Sequence, residues 1–119
     1  MSSPTKKLKN ALQEYLDLLH KEEYFNAHEV LEEAWHPLRK AKHPLSNLVK
    51  GIINASIAFE HLKRNRPQAQ TRALRVMVSY ERHKHLLVEG ILYQELFEKI
   101  YHKIELIKRN NVAFRNPVL

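Results

Sequence analysis

The amino-acid sequence predicts an all-α fold, a single-domain antiparallel bundle of about five helices over residues 1–119. Apolar residues recur at steps of three and four along most of the chain, which is the spacing of one helix face. Only two glycines and five prolines occur, too few for a turn-rich β fold. No segment shows the alternation of apolar and polar residues that predicts a strand.

The first helix is predicted over residues 4–20. Pro4 stands where the start of a helix tolerates proline, because the first helical amides have no partner within the helix. The apolar residues that follow are spaced by three and four positions and would form one buried stripe. They are Leu8, Leu12, Tyr15, Leu16 and Leu19.

The second helix has two alternative starts. Asn26 could cap it, whereas a start at Glu22 or Glu23 would place acidic charge at the positive end of the helix. We favour the earlier start, because Tyr24 and Phe25 then join the apolar stripe. The chain is expected to leave the helix near the proline at position 37, or to kink there and stop by position 40.

The third helix is predicted over residues 45–63. It is apolar on most sides, which is typical of a helix at the centre of a bundle. The exception is a line of polar residues spaced by seven positions. They are Asn47, Asn54 and His61.

The last third of the chain is predicted to contain helices over residues 67–89 and 91–108, followed by an irregular tail over residues 110–119. Pro67 would open the first of these helices, and Gly90 would separate the two. Apolar residues in the tail, among them Val112 and Phe114, would allow a homodimer.

Composition excludes several classes of protein. Without cysteine the chain can form no disulfide, thiolate nucleophile or Cys-rich zinc site. That absence fits a reducing cytoplasm, where we expect the protein. The basic N-terminus lacks the apolar run of a secretory signal, and no stretch approaches the ~20 apolar residues that span a bilayer. We therefore expect no membrane partner.

The net charge of +7 is unevenly distributed. Residues 61–85 contain seven Lys or Arg and one acid, whereas residues 14–33 contain seven acids and one Lys. We favour the interpretation that these segments face each other, within one chain or between chains. The alternative is a nucleic-acid-associated protein whose basic segment binds phosphates. Its binding residues would be Lys63, Arg64, Arg66, Arg72, Arg75, Arg82 and Lys84.

The most informative segment is residues 24–35, YFNAHEVLEEAW, which contains the only tryptophan of the chain. At helical spacing His28, Glu32 and Trp35 share one face, with Glu29 to the side. A face with both apolar and ionisable groups predicts a binding site or a buried polar network.

This segment and residues 48–62, LVKGIINASIAFEHL, resemble a family of small helical proteins catalogued as domain of unknown function 309. The resemblance covers about residues 14–75. It departs from the family pattern at Lys50 and Asn54, where glutamine is usual. It implies an antiparallel helical bundle and no function, because none is established for the family. The matching residues are His28, Glu29, Glu32, Trp35, Gly51 and His61.

We predict a polar pocket between the second and third helices, in a domain that binds an unknown protein or small molecule. No cofactor is predicted. The alternative is a buried hydrogen-bond network that fixes how the two helices pack. In either case the residues concerned are His28, Glu32, Asn54 and His61, with Trp35 as the floor of the pocket.

A metal-assisted hydrolase is a further alternative at the same place. The stretch from His28 to Glu32 is close to the zinc-protease pattern, except that glutamate replaces the second histidine. A divalent metal would be held by His28, Glu32 and His61, and Glu29 would be the catalytic base. We lean against an enzyme, because the sequence does not show that the two helices face each other in that register.

Overall fold

The computed structural model describes the backbone of residues 4–115 and the side chains of residues 5–114. This part of the chain contains helices and no strand, which confirms the all-α prediction. None of its helices is long and apolar enough to cross a membrane. The elements in chain order are α1 (Pro4–His20), α2 (Tyr24–Lys40), α3 (Ser46–Arg64), α4 (Ala69–His83), a 3₁₀ turn (Lys84–Leu86), α5 (Gln94–Arg109) and α6 (Val112–Arg115).

Helix α1 has the predicted bounds and packs on α2 and, less extensively, on α5. Four residues of its predicted stripe, Leu8, Leu12, Tyr15 and Leu19, are fully buried. The Tyr15 hydroxyl donates a hydrogen bond to the Ile52 carbonyl at 2.5 Å, which ties α1 to α3. Burial raises the pKa of Tyr15 far above its ordinary value.

Helix α2 begins at Tyr24 with Glu23 as its N-cap residue, one residue after the favoured earlier start and ahead of the alternative at Asn26. Asn26 does not cap the helix, because its side-chain amide donates to Glu23 instead. Tyr24 is buried, but Phe25 is 45% exposed, so only one of these aromatic residues joins the core as predicted. The helix continues through Pro37 and ends at Lys40.

Helix α3 is the central helix, packed most extensively on α4 and also on α2. Its backbone approaches that of α4 closely at Gly51. A β-carbon added there would lie 3.3 Å from both the Ser79 carbonyl oxygen and the Tyr80 α-carbon. Glycine therefore lets the backbones of α3 and α4 approach each other.

The predicted helix over residues 67–89 is wrong at both ends. Helix α4 begins at Ala69 and ends at His83, and a 3₁₀ turn follows. Leu86 and Leu87 still pack against the core, but they do so from this turn and the residue after it. The apolar spacing that predicted a longer helix therefore continues through a non-helical segment.

The segment between α4 and α5 is a series of turns. Gly90 has a φ of +90° and Tyr93 a φ of +59°, conformations that interrupt a helix. The Tyr93 hydroxyl donates to the Thr5 carbonyl at 2.9 Å and fastens these turns to the start of α1. As a result α5 begins at Gln94, later than the predicted residue 91.

The predicted irregular tail is also corrected, because Val112–Arg115 forms the short helix α6. The ring of Phe114 packs edge-on against Phe59, with centroids 6.0 Å apart. Val112 is 69% exposed. Residues 116–119 of the predicted tail lie outside the described residues.

Candidate functional site

A groove of about 290 Å³ opens between the first half of α2 and the second half of α3. We call it the α2/α3 groove. It brings together two histidines, His28 and His61, that come from different helices. The lining residues are Tyr24, Phe25 and His28 from α2, and Ile57, Glu60, His61 and Arg64 from α3.

The His28 ring is positioned by its own helix. Its Nδ1 lies 3.2 Å from the Phe25 carbonyl oxygen, which can only accept, so Nδ1 carries the hydrogen. Its Nε2 lies 3.4 Å from a carboxylate oxygen of Glu32. Glu32 itself lies outside the residues that line the groove. The predicted proximity of His28 and Glu32 is therefore present, with Glu32 behind the histidine.

His61 and Asn54 are partly buried, and neither side chain forms a hydrogen bond or ion pair with any described residue. Asn54 does not line the groove. The predicted network joining His28, Glu32, Asn54 and His61 is therefore not formed, apart from the contact of His28 with Glu32.

Trp35 does not floor the groove as predicted. Its indole N–H donates to the Ser46 carbonyl at 3.0 Å, at the start of α3. The Lys50 ammonium lies 4.4 Å from its ring centroid and the Arg39 guanidinium 5.5 Å. Because the groove is formed by the end of α3, Trp35 joins α2 to α3 at the other end of their interface.

The predicted metal ligands do not form a metal site in this structure. Within residues 5–114, no three or more His, Asp or Glu side chains are grouped so that they could hold a metal ion. Glu29, the predicted base, is exposed and does not line the groove. The arrangement therefore gives no support to hydrolysis at His28, Glu32 and His61.

Three cations of the basic segment have partners. Lys63 donates to the Glu22 carbonyl at 2.7 Å, Arg64 lies 2.5 Å from Glu60, and Lys84 lies 2.6 Å from Glu81. The other four are exposed and form no ion pair with a described residue. No ion pair within residues 5–114 joins the side chains of the basic and acidic segments. The two segments nevertheless contact each other, because Lys63 bonds to the backbone of Glu22 and residues of both segments line the α2/α3 groove. The four exposed cations without an ion pair are Arg66, Arg72, Arg75 and Arg82.

A second polar group of residues, which the sequence did not predict, joins α4 to α5. The Tyr80 hydroxyl donates to Glu105 at 2.6 Å. Lys108 contacts Glu81 and also Glu105, the latter at 3.3 Å, while Lys84 contacts Glu81. We call these five residues the α4/α5 cluster.

Burial, and then the hydrogen bond to Glu105, raise the pKa of Tyr80 far above its ordinary value. Burial alone would raise the pKa of Glu81, but hydrogen bonds from Lys108 and Lys84 outweigh it and hold that pKa below the ordinary 4.5. The cluster is thus a set of groups that satisfy one another. In the sequence, only the i,i+3 spacings of Glu81 with Lys84 and of Glu105 with Lys108 signal it.

A family model described as Domain of unknown function (DUF309) matches residues 12–73, just over half of the chain. The chain belongs to the DUF309 family. The DUF309 match covers α2 and α3, and with them every residue of the α2/α3 groove, and ends within α4. All five residues of the α4/α5 cluster lie beyond it. Neither the comparison with curated proteins nor that with solved structures gives a match.

Proposed function

We propose that this DUF309 protein is a non-enzymatic binding domain whose α2/α3 groove takes a small aromatic carboxylate. The observation that carries the proposal is the convergence of His28 and His61 on one cavity with aromatic and aliphatic walls. At about 290 Å³ the cavity is at the lower limit for small-molecule sites, so the ligand should be no larger than one ring with a short acidic arm.

The apolar part of the groove suits a ring. Tyr24 is buried at its base against Phe59, with ring centroids 5.4 Å apart. Phe25 is 45% exposed, although large aromatic residues are usually covered. A ligand ring packed on Phe25 and Ile57 would remove this apolar surface from water and add an aromatic pair.

The polar part suits an anion. His61 has no side-chain partner among the described residues, so its ring is free to donate. Arg64 is held by Glu60 through Nε, which leaves its terminal N–H groups available. Its guanidinium lies 5.6 Å from the Phe25 ring centroid. A carboxylate attached to a ring on Phe25 would therefore lie within reach of two donors.

Binding is favoured over catalysis because the groove lacks the arrangement that a catalytic residue needs. Its lining contains no serine, threonine or aspartate, and its one carboxylate, Glu60, is bonded to Arg64. No serine or threonine nucleophile is therefore paired with a base there.

The test is an NMR titration of the ¹⁵N-labelled full chain with phenylacetate, using phenylacetamide as the neutral isostere. We expect phenylacetate to shift the ring signals of His28 and His61 and to bind about ten-fold tighter than the amide, since charge-assisted hydrogen bonds contribute about 1.5 kcal/mol or more. Arg64→Gln should remove most of that preference.

The matched control is His20, which lies in a different groove, between α1 and α5. Its signal should not move, and His20→Ala should bind phenylacetate like the unaltered protein. If ~10 mM phenylacetate shifts neither groove histidine, or shifts His20 equally, the proposal is wrong.

A further inference from the structure

Helix α4 has one uncovered side that combines aliphatic and cationic residues. Leu74 and Val78 are one turn apart, and 42% and 49% of their surfaces are exposed. Arg75 follows Leu74 directly in the chain, and Arg82 lies one turn beyond Val78. Both arginines are exposed and form no ion pair with a described residue. This side of α4 is thus apolar at its centre and positively charged around it.

The same aliphatic residues form one wall of a second groove, of about 560 Å³, which we call the α4/α6 groove. Its floor includes Met77, which is buried, and Phe114 from α6. Glu81 and Lys108 stand at its rim but are bonded to each other. The unpaired charge at the rim is therefore that of arginine. The lining residues are Leu74, Met77, Val78, Glu81, Arg82, Lys108 and Phe114.

We propose that the α4/α6 groove docks an acidic amphipathic helix of a partner protein. Two apolar side chains of that helix, at positions i and i+4, would be about 6 Å apart along its axis, which matches the separation of Leu74 and Val78. Carboxylates flanking these side chains would face Arg75 and Arg82. This surface is on other helices than the α2/α3 groove, so the proposal does not depend on the function proposed above.

Two other occupants fit less well. Nucleic acid would place phosphates against Leu74 and Val78 with no apolar group to cover them, and the tyrosine of α4, Tyr80, is buried and cannot stack on bases. In a dimer whose two copies pack through their α4 helices, the arginines of both copies would lie close together. Like charges at an interface are unfavourable.

The test measures binding of a labelled peptide of about 16 residues to the full chain by fluorescence anisotropy. The peptide is an alanine-based helix with leucines at i and i+4 and glutamates beside them. One matched peptide has lysine for glutamate, and another has serine for leucine. We expect only the acidic, leucine-bearing peptide to bind, with an affinity that falls between ~50 and ~200 mM salt.

Two double variants should each weaken binding about ten-fold or more. One is Leu74→Ser with Val78→Ser, and the other is Arg75→Glu with Arg82→Glu; all four side chains are exposed, so the variants should fold. The control variants are chosen away from the α4/α6 groove and should bind normally. They are Leu92→Ser, at a residue 44% exposed, and Arg66→Glu.

Several outcomes would overturn the proposal. They include no peptide binding at ~100 µM protein, or binding that the serine double variant does not weaken. A short DNA duplex that binds through the arginines alone would assign the surface to nucleic acid. Sedimentation that shows self-association, lost in the serine double variant, would assign it to a second copy.

Discussion

The α2/α3 groove and the α4/α5 cluster both gather ionisable side chains between two helices, but their bonding differs. In the cluster every member is bonded to another, and the bonds of Tyr80 with Glu105 and of Glu81 with Lys108 cross from α4 to α5. In the groove His28 contacts only its own helix and His61 has no side-chain partner among the described residues. Polar residues that bond across an interface hold it together, whereas a residue without a side-chain partner beside a cavity, such as His61, can serve a ligand.

The largest effect is expected from Lys108→Met, which removes the cation that bridges two carboxylates of the cluster. Glu81 and Glu105 would then keep only Lys84 between them. The Lys108 side chain is 14% exposed, so its ion pairs are neither fully buried nor fully at the surface. We therefore expect a loss of about 2 kcal/mol in the free energy of unfolding, a value between those typical of buried and of surface ion pairs. Urea denaturation measures it, with the exposed Lys99→Met as the control. Equal stability of the two variants would mean that the cluster does not hold α4 to α5.

A smaller effect is expected from pH. The folded-state pKa of Glu81 is lowered, so its stabilisation is present above the ordinary value of 4.5 and is lost as pH falls through the folded pKa. With 39% of its side chain exposed, solvent screening limits the contribution to about 0.5–1 kcal/mol.

Glu81→Gln should therefore be less stable than the unaltered chain at pH 7, and the difference should shrink as pH falls below 4.5. Urea denaturation at several pH values measures this. A difference that stays constant with pH would show that the charge of Glu81 is not the cause.

The smallest effect is expected from His28→Ala and His61→Ala. Neither histidine bonds across the α2/α3 interface, so each change should alter the unfolding free energy by less than about 0.5 kcal/mol. Thermal unfolding measures it. If either variant lost about 2 kcal/mol in the free energy of unfolding, the groove histidines would stabilise the fold as the cluster does, and the contrast between the two regions would be wrong.

The sequence predicted the first three helices well, because their apolar stripes and their boundaries are local features. The prediction failed after α4, because Leu86 and Leu87 continue the apolar spacing of a helix although α4 has already ended. The hydrogen bond of Tyr93 to the Thr5 carbonyl, which anchors that segment, joins residues from opposite ends of the chain. No short-range pattern shows such a contact.

The candidate site was predicted only in part, because spacing within a helix is a local feature and the register between two helices is not. Helical spacing placed His28 beside Glu32, and the structure brings His28 and His61 to one groove. Spacing within single helices could not show that the register of α2 on α3 leaves Asn54 and Trp35 outside that groove. The α4/α5 cluster escaped prediction because it depends on the register of two helices separated by a series of turns.

The contact at Gly51 has a mechanical consequence. Main-chain atoms of α4 lie so close to α3 that no side chain can repack between them to absorb a movement. Because protein interiors are nearly incompressible, a displacement of α3 at this point would be transmitted to α4. The α3 wall of the α2/α3 groove and the side of α4 that carries Arg75 and Arg82 would then move together as one rigid unit.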